Sequence, residues 1–156
     1  WKDIRMKVSL ILPTLNRTDD LAVFLDSLLE QTYKDFELIV VDQNEGNEVF
    51  EIVKDYEEDF KIKYVKSDEK GLSLNRNRGL ILMKGEIVGF PDDDCEYSPD
   101  TLEKVVESCK VRGTDAASNL LPKASFLAIC PVFLFIRSAR IYAYELPGTL
   151  WTVIST

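Results

Sequence analysis

Four short apolar runs, each stopped by a cluster of polar residues, constrain this chain more than anything else in it. Val8-Ser-Leu-Ile-Leu12 is ended by Pro13, and Glu37-Leu-Ile-Val-Val41 is stopped by Asp42-Gln-Asn-Glu-Gly46. Lys61-Ile-Lys-Tyr-Val65 alternates, and Glu86 to Phe90 runs through Pro91 into Asp92-Asp93-Asp94. Runs this short and this apolar read as buried strands. Between them lie helical patterns. Thr18 is a candidate N-cap, with Asp19 and Asp20 in the favourable first turn. Leu21, Phe24, Leu25, Leu28 and Leu29 then share one helix face. A mixed helix is expected over Glu48–Glu58, and another from Gly71 to about Met83 with Lys84-Gly85 as its stop. Ser98-Pro99 reads as an N-cap and first helical position, opening a helix to about Lys110. Alternation of this kind implies βαβ units, right-handed crossovers and a mainly parallel sheet flanked by helices, an α/β fold.

The polar clusters then fall into place. Pro13-Thr14-Leu15-Asn16-Arg17, Asp42-Gln43-Asn44, Ser67-Asp68 and Asp92-Asp93-Asp94 each follow a strand. Open α/β sheets bind ligands beyond the carboxyl ends of their strands. Taken alone, the aspartate triplet has two readings. It is a solvated turn before a helix, or Asp92 and Asp94, two residues apart, offer oxygen ligands to a divalent cation. Convergence of four polar sets at strand ends favours a crevice for a nucleotide and a metal ion.

Composition narrows the field. A length of 156 residues, 46% of them hydrophobic, suits one domain with a real core. A net charge of −8 argues against general nucleic-acid binding. Histidine is absent, which removes His-based triads and His-liganded zinc within the sequence. Three cysteines without metal-ligand spacing (Cys95, Cys109 and Cys130) read as reduced thiols of a cytoplasmic protein. No apolar leader is visible at the start. The longest apolar run, Ser125 to Ile136 and broken by Pro131, falls short of the roughly 20 residues that span a bilayer. Ala116–Leu121 and Phe126–Ile136 are candidate strands. Charge divides the chain: only five charged residues fall from Thr114 onward, against 41 before it. Residues 1–113 and 114–156 are therefore expected to be different kinds of segment.

Several stretches together resemble the inverting glycosyltransferases of family 2. They are Val8-Ser-Leu-Ile-Leu-Pro-Thr-Leu-Asn-Arg17, Ser27-Leu-Leu-Glu-Gln-Thr-Tyr33, Phe36-Glu-Leu-Ile-Val-Val-Asp42, Gly71-Leu-Ser-Leu-Asn-Arg-Asn-Arg-Gly79 and Lys84-Gly-Glu-Ile-Val-Gly-Phe-Pro-Asp-Asp-Asp94, continuing through Tyr97-Ser-Pro-Asp-Thr-Leu102. The likeness covers about residues 7 to 110, in order and with the family's spacing. It implies the Rossmann-like GT-A fold and a nucleotide-diphosphate sugar as donor, UDP-sugars being the commoner case. It implies that Pro13, Thr14, Asn16 and Arg17 lie against the nucleoside and that Asp42 hydrogen-bonds the base. Asp68, Arg76 and Asn77 would line the base and phosphate side, and Asp93 would contact ribose. Asp92 and Asp94 would be the DxD motif holding Mg²⁺ or Mn²⁺. The implied acceptor is a polysaccharide or lipid-linked saccharide, met in the cytoplasm or peripherally at the inner face of the membrane. Each residue also has a plainer reading: Asp42 as a loop cap, Asp68 as a turn residue, Arg76 as a surface charge paired with an acid, Asn77 and Gly79 as packing.

The catalytic base is not identified. Asp115 and Glu145 are the only carboxylates after Thr114, and neither sits in the family's acidic motif. Residues 114–156 read as a divergent acceptor half or, preferably, as a truncated or frame-shifted one, with apolar surface near 125–136 prone to association. The alternative function is a catalytically incomplete nucleotide-sugar-binding fragment. A receiver-like phosphoacceptor domain, which also gathers acids at strand ends, is a distant second alternative.

Overall fold

A computed structural model describes residues 6–110 in full, with the backbone of 111–112 and 135–137. The elements run β1 (Val8–Thr14), α1 (Thr18–Leu29), β2 (Phe36–Asp42), α2 (Glu48–Lys54), β3 (Lys61–Lys66), α3 (Leu72–Leu82), β4 (Ile87–Gly89), α4 (Thr101–Arg112) and β5 (Phe135–Arg137). The sheet order is β3-β2-β1-β4-β5. The first four strands are parallel, and β5 pairs antiparallel with β4. This is the expected α/β architecture. The short fourth strand is trimmed to three residues.

Both central strands are buried along their whole length, and alternation sends their side chains to two separate cores. Val8, Leu10, Leu12, Leu38 and Val40 face Phe24, Leu25, Leu28, Val49, Val53, Leu102 and Val106 of α1, α2 and α4. Ile11, Ile39, Val41 and Val88 face Leu80 and Met83, in and just after α3. On that side the helix lies very close. A Cβ added to Gly79 would come within 2.2 Å of Ile11 Cγ2, so the packing reading of Gly79 is correct.

Several boundaries differ from expectation for local reasons. The N-cap of α1 is Arg17 and not Thr18, and no side-chain cap bond forms there, because a guanidinium has only donors and cannot accept from a helix N–H. Leu29 is partly exposed at the helix end while Ser27 is buried in its place. Helix α2 stops at Lys54, and turns carry the chain to β3. Ser98-Pro99 does not open α4: Thr101 N–H bonds to the Ser98 carbonyl in a turn (2.9 Å), and the helix starts at Thr101. Helix α3 is capped by Gly71 at φ +150°, a backbone geometry suited to glycine. Of the two late candidate strands, only 135–137 falls within the described residues. The boundary at 113, the strand at 116–121 and the apolar stretch 125–134 lie outside them.

A buried carboxylate locks the sheet's opposite end. Glu37 Oε1 accepts from Ser9 Oγ (2.8 Å) and the Lys84 backbone N–H (2.6 Å), and Ser9 Oγ in turn accepts from Gly85 N–H (2.9 Å). Lys63 Nζ stands 3.2 Å from Glu37 Oε2. Burial pushes the Glu37 pKa up, but bonds from Ser9, Lys84 and Lys63 outweigh it and hold it below the ordinary value of 4.5. The network sets the start of β4, and so where the aspartate triplet emerges.

Two outcomes test this frame. Glu37→Gln is expected to lose about 1–3 kcal/mol of stability at pH 7 in urea denaturation. Because the folded pKa is lowered, wild type holds this increment above the ordinary value and loses it as pH falls through the lower folded one. The difference between the two proteins should therefore shrink in acid. Gly79→Ala should cost about 1–3 kcal/mol through overpacking against Ile11; an unchanged midpoint would show that α3 is free to move away.

Candidate functional site

Parallel register brings three polar residues into one row at the sheet's carboxyl edge. Thr14 is the partner of Asp42, and Asp42 of Lys66. Beyond β4 the chain passes Phe90 and Pro91 and turns through Asp92-Asp93-Asp94. Because β4 lies beside β1, the middle aspartate folds back onto the row. Thr14 Oγ1 donates to Asp93 Oδ2 at 3.0 Å, and Asp93 is 9% exposed. Burial pushes the Asp93 pKa up, only partly offset by Thr14 and Arg17.

Arginines from two different elements reach the same triplet. Arg17 NH1 stands 2.6 Å from Asp94 Oδ2 and 3.4 Å from Asp93 Oδ1, and the Asp94 bond followed by the Asp93 charge raises its pKa. Arg76 NH2 of α3 stands 3.1 Å from Asp92 Oδ1, with its guanidinium 5.5 Å from the centre of the Phe90 ring. Arg76 is thus paired with an acid, as its plainer reading held, and that acid is a candidate metal ligand.

The loop that follows the triplet is held by α1. Gln31 Nε2 donates to the Ser98 carbonyl (2.8 Å), its Oε1 accepts from Leu102 N–H (3.1 Å), and Ser27 Oγ accepts from Tyr97 N–H (3.1 Å). Thr32 N–H adds a bond to the Pro99 carbonyl at 2.8 Å. The Ser27–Tyr33 stretch therefore acts structurally, by fixing where Asp92–Asp94 stand.

Around Asp42 every acceptor direction is filled. Oδ1 accepts from Asn44 N–H (2.9 Å) and Asn44 Nδ2 (2.7 Å); Oδ2 accepts from Tyr64 OH (2.6 Å) and Lys66 Nζ (2.8 Å). Burial pushes the Asp42 pKa up, yet bonds from Lys66, Tyr64 and Asn44 together bring it below the usual value, while burial and Asp42 push the Tyr64 hydroxyl up. Tyr64, Lys66 and Asn44 belong to the site, and sequence reasoning did not single them out individually. Period-two alternation puts Tyr64 and Lys66 on one face of β3, which was legible; the register that aims them at Asp42 was not.

The remaining candidates spread around this centre. Pro13 is buried within β1 beside Val41. Asn16 is exposed with φ +60°, a conformation asparagine tolerates, and its N–H donates to Asn44 Oδ1 at 2.7 Å. Asp68 is exposed on the β3–α3 loop, which is tied down nearby by Gly71 N–H to Gln43 Oε1 (2.8 Å). Asn77 Oδ1 is buried and makes no hydrogen bond among the described residues. Asn75 is a missed supporting residue: fully buried, it donates to the Glu69 and Gly71 carbonyls (2.9 and 2.8 Å) and shapes that same loop.

Ligand atoms of Asp92, Asp94 and Cys95 lie within 4.8 Å of one another. Cys95 is disulfide-bonded and Cys109 is a buried thiol, which corrects the expectation of three reduced thiols. A disulfide sulfur is no thiolate donor, so the set offers hard carboxylate oxygens. Such a set, already balanced by positive guanidinium groups, fits Mg²⁺ or Mn²⁺ rather than a soft metal.

Residues 9–123 match the model of glycosyl transferase family 2. The chain belongs to that family. It is 38% identical over 106 residues to the glycosyltransferase GlyA of Streptococcus pneumoniae, covering 65% of this chain and 15% of GlyA. It is 34% identical over 113 residues to the poly(ribitol-phosphate) beta-N-acetylglucosaminyltransferase TarP of Staphylococcus aureus, covering 70% of this chain and 35% of TarP. Among solved structures, S. aureus TarS 1–349 in complex with UDP superposes with a TM-score of 0.67 at 30% identity, over 71% of this chain and 34% of that one. The mannosyltransferase PcManGT of Pyrobaculum calidifontis, in complex with GDP-Man and Mn²⁺, gives 0.67 at 28% identity, over 73% and 35%. The family 2 domain thus has the Rossmann-like GT-A fold, and the chain spans 15–35% of the length of these proteins. The family match displaces the receiver-like alternative.

One prediction separates stability from function. Asp93 has a raised folded pKa, so its charge costs stability above that pKa, and the cost disappears as pH falls below the ordinary carboxylate value. Asp93→Asn should therefore raise the denaturation midpoint at pH 7, with the gain fading in acid, while nucleotide affinity falls. A lower midpoint at pH 7 would contradict the burial argument.

Proposed function

We propose that the chain is the nucleotide-sugar-binding part of an inverting family 2 glycosyltransferase acting on a polysaccharide or lipid-linked acceptor. The observation that carries this reading is the meeting of Asp92-Asp93-Asp94 with Thr14, Arg17 and Arg76 at the carboxyl edge of a parallel sheet. Asp92 and Asp94 would hold the divalent cation. When bound, it neutralises the charge that develops on the departing diphosphate, more in the transition state than in the ground state.

This chain's residues would do the rest by binding and orientation. Arg76 would meet phosphate oxygens with fork-like donors, and Arg17, first expected against the nucleoside, would do the same because it stands beside Asp94. Asp93, fixed by Thr14, would accept a ribose hydroxyl. Pro13, Asn16, Asp68 and Asn77 line the approach to the base, and Asn77 Oδ1 has spare acceptor capacity. Asp42 would accept from the base, and a base N–H arriving there must replace one of its four donors. UDP is the proposed nucleotide, supported by the likeness to TarS, solved with UDP and with UDP-GlcNAc; PcManGT, solved with GDP-Man, makes GDP the competitor to test. Similar proteins include a GalNAc(5)-diNAcBac-PP-undecaprenol beta-1,3-glucosyltransferase of Campylobacter jejuni, whose name supports a lipid-linked acceptor. Among the described residues no helix is long and apolar enough to cross a membrane.

The base that would activate the acceptor is not assigned, because Asp115 and Glu145 lie outside the described residues. Calorimetric titration with UDP and GDP, with and without Mn²⁺, tests the reading. UDP binding should require Mn²⁺ and weaken about tenfold or more in Asp94→Ala. A folded chain that binds neither nucleotide would sink the assignment. Binding with neither sugar transfer nor donor hydrolysis would favour the catalytically incomplete alternative.

A further inference from the structure

Three carboxylates in succession should repel one another, yet Asp92, Asp93 and Asp94 stand with two guanidinium groups among them. Arg17 is the more telling of the two. Its NH1 lies 2.6 Å from Asp94 Oδ2, on one of the two carboxylates proposed to hold the cation. The same nitrogen is 3.4 Å from Asp93 Oδ1. Arg17 does this from the N-cap position of α1, where its side chain, a donor only, makes no cap bond. Arg76 makes the matching contact with Asp92 from the other side.

We propose, resting on the nucleotide-sugar reading above, that Arg17 is an internal counter-ion competing with the divalent cation for Asp94, so that cation and nucleotide diphosphate bind as a coupled pair. A guanidinium and a dication cannot both use that carboxylate face at close range, since their mutual repulsion grows as water is excluded. The side chains of Arg17 and Asp94 are 48% and 47% exposed. Pairs this open contribute little to stability, so Arg17 can be displaced without disturbing the fold. The buried Thr14–Asp93 bond next to it stays as the fixed point. A cation arriving alone leaves Arg17 without its partner and beside a double positive charge. A cation arriving with a diphosphate supplies phosphate oxygens, a better bidentate partner for arginine. Arg17 therefore weakens binding of the bare cation and strengthens binding of the cation–nucleotide pair. The same residue suppresses occupancy of the acids when no donor is present.

The test measures Mn²⁺ binding to the folded chain by electron paramagnetic resonance of free Mn²⁺, with and without saturating UDP, in wild type, Arg17→Met and Arg17→Gln. Circular dichroism and urea denaturation establish that each variant is folded; the two substitutions provide independent chances of a folded protein. Expected is Mn²⁺ binding without UDP about three- to tenfold tighter in the variants, of the order of one partly screened charge–charge contact. The enhancement of Mn²⁺ affinity by UDP should fall by at least the same factor. Unchanged or weaker Mn²⁺ binding in a folded variant, with wild type still binding Mn²⁺ and UDP together, overturns this inference and leaves the functional reading standing. Wild type that binds no Mn²⁺ with UDP overturns both.

Discussion

The structure depends on the placement of β1 at the centre of a parallel sheet whose two faces are both covered. With Val8, Leu10 and Leu12 in one core and Ile11 in the other, no polar group can be accommodated along the strand's length without a partner. Ser9 and Thr14, its two polar side chains, each have partners: Ser9 with Glu37 and Gly85, Thr14 with Asp93. Polarity is thereby driven to the two ends. One end closes on the Glu37 network, a structural lock. At the other end, among the described residues, stand the candidate site residues. Crossover helices that return the chain to the same sheet end keep delivering loops to that edge.

Within the open edge there is a gradient from fixed to exchangeable contacts. Asp42 and Asp93 are buried and held by neutral or charged donors whose geometry the sheet dictates. Asp92 and Asp94 stand further out and are held by arginine side chains that solvent can replace. Burial therefore sorts four carboxylates into two kinds: those that shape the site and those free to change partners. The opposite directions of the Asp42 and Asp93 pKa shifts have the same origin. Asp42 has four donors to offset desolvation, whereas Asp93 has fewer and sits next to another negative charge.

The motif-like stretches divide by the same logic. In the Ser27–Tyr33 stretch, Ser27 and Gln31 hold backbone groups of the loop after the triplet. Gly79 acts through Ile11, by letting α3 approach closely enough for Arg76 to meet Asp92. Among the described residues, those at strand ends and Arg76 reach the centre directly.

Much of this was legible in the sequence. Apolar runs of about five residues, helix-periodic leucines between them and polar clusters at each strand end point to a parallel α/β sheet, because strand–helix alternation covers both faces of such runs. The aspartate triplet after β4 and the candidate residues after β1 and β2 follow from the same alternation. Tertiary structure decided what alternation cannot encode. Strand order set β1 beside β4, which is why Thr14 meets Asp93. Register aimed Tyr64 and Lys66 at Asp42. Tertiary contact gave the Arg17 side chain its partners, a pair of acids 76 and 77 positions away in sequence. Local pattern reports which face a side chain leaves from; what it meets depends on which distant strand lies alongside, and only the folded sheet determines that.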